Sequence, residues 1–369
     1  MSRWRWRGNV ALLAVSLAFV LFPLLPGDDV INSDWPAFAT GARLIVHDPA
    51  HLYDFNAQQR VQLQVTGGRV LVTLGIKGIL PFLAPAWVAL LAVPFDAIGP
   101  NLGGRAWMLF GLICFGAGLW LAIRPRPPTQ ILPAFASVPT ALMMLNAQLD
   151  GLVVLGIGAA IALWSRRYLA GLALGLTLVK PQLVLPLAVA ILLAREWKVL
   201  AGWATAGVAL LAATVALSPR WVFEWLSQTR STVQTGAREV DLAHLAVLLP
   251  DQLQGPALAV LTVSTLVGVL WLASRVRVQQ MRPAIAVLVV GGVVAAPHAL
   301  PTDLVVVALG LVIWRRATWI EWLALSVGAL LAALIPAPYP TIVGVVLVGW
   351  LVLRISYWRS PEPAPGSAR

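Results

Sequence analysis

Charge is scarce in this chain. Only 11% of its 369 residues are Asp, Glu, Lys or Arg, against 59% hydrophobic, whereas a soluble globular domain carries about 25% charged residues. Together with a mean hydropathy of +0.84, that excludes an ordinary water-soluble fold. Cysteine is scarcer still: Cys114 stands alone inside an apolar run, so no intrachain disulfide contributes. HExxH, CxxC, a P-loop and a Gly-rich dinucleotide fingerprint are all missing. A DxD-like sugar-nucleotide motif is also missing, the "GDD" at 27–29 being only superficially similar. Acids are outnumbered by bases, 15 to 26.

What is present is a series of apolar runs, at 9–26, 81–98, 104–123, 129–146, 149–165, 199–217, 256–274, 284–299, 302–314, 319–335 and 340–356. Runs of this length are the signature of an all-α polytopic membrane protein, with about twelve transmembrane helices. The first follows "SRWRWR" and lacks a convincing small-residue cleavage site, so it reads as a retained helix. The net charge of +11 invites a nucleic-acid reading, but its distribution argues otherwise. Arg3, Arg5, Arg7, Arg124, Arg126, Arg166, Arg167, Arg195, Lys198, Arg275, Arg277, Arg282, Arg315, Arg316, Arg354 and Arg359 flank apolar runs. That is the positive-inside pattern of cytoplasmic loops. It places both termini in the cytoplasm and 218–254, 298–303 and 336–340 outside. The count fails in the first half, where an odd number of crossings is needed between Asp28 and Arg124 and two runs are seen. Either one of the two is re-entrant, the proline-rich "LPFLAPAWVALLAVPFDAIGP" first, or a further crossing is hidden in this half. No internal repeat is visible, and the Pro-rich tail 358–369 reads as disordered.

Between 168 and 195, Lys180-Pro181 interrupts an apolar stretch too long for one span and short for two. Two arrangements satisfy it: a hairpin of two short helices with its tip at Lys180, or one long helix kinked by the proline. A lysine within a spanning run costs about 2.5–3.5 kcal/mol, so it needs a partner, water or a function.

Two outer segments, about 27–80 and 218–254, are longer than connectors need to be and alternate in a way that suits helices on the membrane surface. The first gathers Asp34, Asp48 and Asp54 with His47 and His51. Trp35, Phe38, Ala42 and Ile45 share one helical face, so Asp34 falls at a helix N-terminus. There it serves either as a cap or as a general base at the membrane boundary. "NAQLDGLV" sets Gln148 and Asp150 between two apolar runs. "APHALPTDLVVV" does the same for His298 and Asp303 on the side predicted for Asp34. A proton-coupled transporter using Lys180/Asp150 and His298/Asp303 is the reading from another class, though no paired halves with matching helix breaks appear.

In order, an early Asp followed by "DPAHLYD", then "PFLAPAWVALLAVPF", "NAQLDGLVVL", "LTLVKPQLVLP" and "APHALPTDLVV" resemble the glycosyltransferase 87 group of the GT-C superfamily, over roughly residues 10–315. The family usually has Gly-Gln-x-Asn where this chain has Ala147-Gln148-Leu149-Asp150, and Tyr where Phe38 stands. The resemblance implies a single GT-C domain over 1–357, with horizontal helices in the first outer loop. It also implies an inverting transfer of a hexose, mannose by analogy with better-known relatives, or of a pentose. The donor would be a polyprenyl-phosphate sugar and the acceptor a lipid or glycan at the outer face of a bacterial plasma membrane. Asp34 becomes the general base. Lys180 and His298 become donor-phosphate ligands, joined by Arg43 one turn or so along the Asp34 helix, with Gln148, Asp150 and Asp303 in support. Glu224, Asp241 and His244 are acceptor-loop candidates. The partners are the lipid-linked donor, the acceptor and the bilayer, with no nucleic acid. No cofactor is expected to be required, a divalent metal being left open.

Overall fold

The computed structural model describes residues 18, 20–25, 30–69, 71–73, 76–126, 128–231, 238–277 and 281–357. The first apolar run through residue 17, the acids at 28–29, part of the second outer segment (232–237) and the tail 358–369 lie outside the described residues.

Among the described residues, the fold is all-α apart from one short hairpin. After the first run come α1 (Trp35–His47), α2 (Phe55–Val65) and the antiparallel β1 (Leu71–Thr73) and β2 (Ile76–Gly78). Next are α3 (Ala86–Asp96), α4 (Pro100–Ile123), α5 (Leu132–Phe135), α6 (Val138–Leu145) and α7 (Asp150–Ala162). They are followed by α8 (Arg167–Leu174), α9 (Leu185–Leu193), α10 (Trp197–Val215), α11 (Trp221–Ser231) and α12 (Asp251–Arg277). The last four are α13 (Met281–Ala295), α14 (Leu304–Trp314), α15 (Trp319–Leu334) and α16 (Tyr339–Ser356). By length and composition, α4, α10, α12 and α16 are each long and apolar enough to cross a membrane. Every residue of α14 is buried, so it forms the centre of the bundle. In contrast, only 11% of the most apolar window of α12 is buried, which fits a helix whose surroundings are lipid.

The glycines of α4 and α7 explain how those two helices meet. A Cβ on Gly151 would lie 2.0 Å from the Gly111 carbonyl oxygen, and one on Gly158 2.0 Å from that of Gly118. In lipid, where helices gain little from hiding apolar surface, such backbone-to-backbone contact is what dispersion forces require. The matching order (111 with 151, 118 with 158) makes the helices parallel. The 129–146 run therefore returns between them, broken into a 3-10 turn and the short α5 and α6.

The same logic decides between hairpin and kinked helix. Gly171 abuts Val199, Gly202 abuts Tyr168, and Gly175 abuts Ala206, so α8 and α10 also run parallel. The intervening residues must double back. Arg167 and Glu196 meet at the base, 3.4 Å apart, and the tip is Lys180, between two 3-10 turns (Gly175–Val179 and Pro181–Val184). The hairpin is the arrangement found.

One end of the bundle is basic. There the Arg315 guanidinium donates to the Ile123 carbonyl at 2.9 Å, beside Arg124 and Arg316. The opposite end holds α1 to α3, the 146–150 turn, Lys180, α11 and the 296–303 turn. The Trp35 indole donates to Pro100 O there (2.7 Å) and the Trp225 indole to Leu83 O (2.7 Å). Helix α3 is about 16 Å long at 1.5 Å per residue, half the hydrocarbon thickness, and packs on α1. It is too short to cross alone, and between it and Arg124 only α4 is long and apolar enough to cross a membrane.

In the first outer segment α2 carries the exposed face, whereas α1 is buried along nearly its whole circumference. Two buried glutamines of α2 fasten the extended run 80–82. The Gln58 amide spans Phe82 N–H (2.9 Å) and Leu52 O (2.8 Å), and the Gln62 amide spans Leu80 N–H (2.8 Å) and Leu80 O (2.7 Å). Side-chain amides thus take the place of a neighbouring strand and satisfy backbone groups that burial would otherwise strand.

Candidate active site

Asp34 occupies the N-cap position of α1 but its carboxylate does not cap the helix. Ser33 does that work, its Oγ accepting from Trp35 N–H at 3.2 Å. The Asp34 carboxylate instead accepts a hydrogen bond from the Gln148 amide, while its N–H donates to Asn146 O at 3.3 Å. Of the two roles the sequence left open, the capping one is therefore excluded. Asp34 is half-buried. Burial pushes its carboxyl up to about 6, against the Lys180 ammonium and the Gln148 amide, while the Asp303 charge adds to the rise.

Gln148 is aimed by the end of α6. Its N–H donates to Met143 O (3.0 Å) and Ala147 N–H to Met144 O (3.0 Å), the pattern of a Schellman cap with Ala147 at the left-handed position, φ 53°. That is the place where the resembled family carries glycine, and the reason is steric: only glycine takes that φ without strain. The Trp107 indole holds the turn by donating to Ala147 O at 2.9 Å. Phe38 packs on the same indole, ring centroids 5.1 Å apart.

Next to this turn Lys180 lies between two carboxylates. Its Nζ is 3.0 Å from Asp150 Oδ1 and 2.5 Å from Asp303 Oδ1. Asp150 and Asp303 are almost fully buried, and the second Asp303 oxygen accepts from Leu300 N–H at 2.7 Å. One cation thus serves two acids, with Asp34 close enough to feel both signs.

The remaining residues divide. Arg43 is nine positions from Asp34, about 13 Å along α1 rather than one turn, and its guanidinium is paired with Asp96 at 3.0 Å. His298 is paired with Glu239 and not with Asp303, the pair that the relay reading needed. Its Nδ1 is 2.9 Å from Glu239, whose other oxygen is 3.0 Å from His244 Nδ1. Asp241 accepts from the backbone N–H groups of His244 and Ala299, both at 2.9 Å. Glu224 lies on α11, near enough to Tyr53 for its charge to be felt there. The acidic cluster around Asp34 also disperses. Asp54 caps α2 through Ala57 N–H (2.7 Å), and Asp48 pairs with the exposed His51 (2.8 Å). Only Asp34 reaches the polar group.

Glu239 is the residue that sequence reasoning missed. It stands two residues before Asp241 and five before His244 in "REVDLAH", and the available signal was an acid five residues from a histidine in the second outer segment. Among the described residues, no group of three or more His, Cys, Asp or Glu side chains is arranged to hold a metal ion.

Over residues 82–301 the chain matches glycosyltransferase family 87. It belongs to that family. The family 87 match covers Gln148, Asp150, Lys180, Glu239 and His298 and begins after Asp34, so Asp34 is tied to it by geometry rather than by the matched stretch. No curated protein and no solved structure matches the chain.

Proposed function

We propose that this membrane glycosyltransferase moves a hexose, mannose in the first instance, from a polyprenyl-phosphate donor to a lipid or glycan acceptor, with inversion and with Asp34 as general base. The observation that carries the reading is the Asp34 carboxylate. It sits at a helix start yet is not spent on capping, and it is held by Gln148 beside a buried ion triad. A base must be ionised yet still hold a proton briefly, and a carboxyl raised to about 6 by burial suits that at neutral pH. Asp34 would take the acceptor hydroxyl proton as that oxygen bonds to the anomeric carbon. The bond from that carbon to the phosphate oxygen breaks, and the phosphate keeps the electron pair.

The leaving phosphate needs donors where its charge grows. His298, half-exposed with Nε2 unclaimed by Glu239, is the direct contact in this proposal. Lys180 stays a second candidate for the phosphate, although Asp150 and Asp303 together offset its charge in full. Arg43, committed to Asp96, is left out. The absence of a nucleotide-binding motif agrees with a sugar that arrives activated on a lipid. The positive-inside rule then sets the basic end in the cytoplasm and the site at the outer face of a bacterial plasma membrane. The 238–250 segment, with Asp241 and His244, borders the acceptor side.

The test is transfer from a panel of radiolabelled polyprenyl-phosphate sugars to host membrane lipids, wild type beside Asp34→Asn. Loss of turnover by about 10²–10⁴-fold with donor binding retained supports the reading and identifies the sugar. A fully active variant refutes Asp34 as base, and a wild type that binds none of the donors refutes the donor class.

A further inference from the structure

Glu239 has no role in the chemistry above, yet its placement is tightly determined. Its side chain is 14% exposed and both carboxylate oxygens are used, Oε1 by His298 and Oε2 by His244. Its backbone is pinned as well. The Glu239 carbonyl accepts from Thr341 Oγ1 at 2.9 Å, and Val240 N–H donates to Ala299 O at 2.8 Å, one residue past His298. Asp241 closes the clip by accepting from Ala299 N–H. The two segments cannot slide without breaking all of these.

We propose that Glu239 is a positioning residue for sugar transfer: it fixes the His298 ring through Nδ1 and so directs Nε2 at the phosphate of the lipid-linked donor. The inference rests on the reading of His298 as the phosphate contact. The chemistry follows from the tautomers. With Nδ1–H given to Glu239, Nε2 carries a proton only in the imidazolium form. Donation to the phosphate therefore requires the charged ring, and Glu239 is the anion that keeps it charged. No proton is transferred; His298 donates a hydrogen bond to the departing oxygen.

The charged groups facing His298 are Glu239, Asp241 and Asp303, with His244 on the other Glu239 oxygen. Burial works against the imidazolium, but the Glu239 hydrogen bond and the three carboxylates outweigh it, so the ring titrates above the ordinary histidine range. Glu239 itself is held down at about 2: burial alone would raise it, and the hydrogen bonds from His244 and His298 more than reverse that. Activity that depends on the imidazolium is full below the His298 pKa and lost as pH rises through it.

The experiment measures kcat/KM for the lipid-linked donor against pH in wild type, Glu239→Gln, Glu239→Asp, His298→Asn and the Glu239→Gln/His298→Asn double variant. Glutamine can accept one Nδ1–H but carries no charge. The expected result is a loss of about 10- to 100-fold at pH 7.5, an alkaline limb moved to lower pH by about one unit or more, and little added loss in the double variant. Aspartate keeps the charge with a shorter reach, so its limb should stay near that of wild type while KM for the donor rises. A Glu239→Gln deficit that is equal at every pH, or that adds in full to His298→Asn, makes Glu239 a structural residue and overturns the inference. If Glu239→Gln does not fold, the aspartate limb and a wild-type alkaline limb that vanishes in His298→Asn carry the same test. An unimpaired His298→Asn removes the phosphate contact itself, and with it both readings. An impaired His298→Asn beside an unimpaired Glu239→Gln sinks this inference alone.

Discussion

Replacing Lys180 by methionine keeps the length of the side chain and removes the one cation that Asp150 and Asp303 share. At 3.0 and 2.5 Å, and with an effective dielectric constant of about 20, the two gross attractions are roughly 5.5 and 6.6 kcal/mol. Most of that is spent on desolvating three charged groups. The quantity a variant reveals is different: removing one partner of a buried pair leaves uncompensated charge and costs about 3–5 kcal/mol. Here one substitution strands two acids, so the upper part of that range is expected. Asp303 retains the Leu300 N–H; Asp150, whose side chain is fully buried, is left with the Asp303 carboxyl as its hydrogen-bond partner.

The assay is reversible unfolding in mixed detergent micelles, on wild type, Lys180→Met, Asp150→Asn and the double variant. Asp150→Asn should cost much less than Lys180→Met, because Lys180 keeps Asp303. The double variant should recover part of the Lys180→Met loss, with a coupling energy of about 2 kcal/mol or more. There is a catalytic consequence too. The Lys180 charge holds the Asp34 carboxyl down against burial, so in Lys180→Met the acid limb of the pH–rate profile should move to higher pH. A Lys180→Met protein within about 1 kcal/mol of wild type, with its acid limb unmoved, would refute the triad and its coupling to Asp34 together.

Two further outcomes are expected. In wild type, kcat/KM for transfer should fall as pH drops through about 6, where Asp34 takes up its proton and ceases to act as a base; a flat profile from pH 7.5 to 5 would remove it from that role. Gln62→Leu should cost about 1–3 kcal/mol, since Leu80 loses partners for both its buried N–H and its C=O, and hydrogen exchange at Leu80 should accelerate more than at the amides of α4. Unchanged exchange at Leu80 would mean that the glutamine does not hold the strand-like run.

The helices that run across the bundle were legible because apolar length and flanking arginine are properties of local sequence. The same local signals mislead where a run is interrupted. The 81–98 stretch is apolar enough to count as a span, yet proline and the extended 80–85 approach leave only 11 helical residues. The 129–146 run breaks at Ser137 for similar reasons. Lys180-Pro181 marked a break but not its geometry, because local sequence is silent on whether the next helix comes back parallel. The glycines at 171, 175 and 202 decide that, and their role is visible only once the helices are laid side by side.

The polar site follows a different rule. At bilayer depth each charge must find an opposite or a donor, so the sparsest charge is the most informative: Lys180 predicted Asp150, and Asp303 entered as its second acid. In the water-facing segments the same inference is weaker, since solvent can satisfy any side chain. There Asp48, Asp54 and His51 looked as significant as Asp34 and are a surface pair and a helix cap. Glu239 was overlooked for the complementary reason. Its two partners lie on separate segments, His244 five residues on and His298 beyond two intervening helices, so neither spacing nor periodicity joins them. What joins them is the clip between Val240 and Ala299. His298, the phosphate contact in the proposed mechanism, is thus fixed by the carboxylate that local sequence had least reason to select, and the alkaline limb of the pH profile is where that dependence becomes measurable.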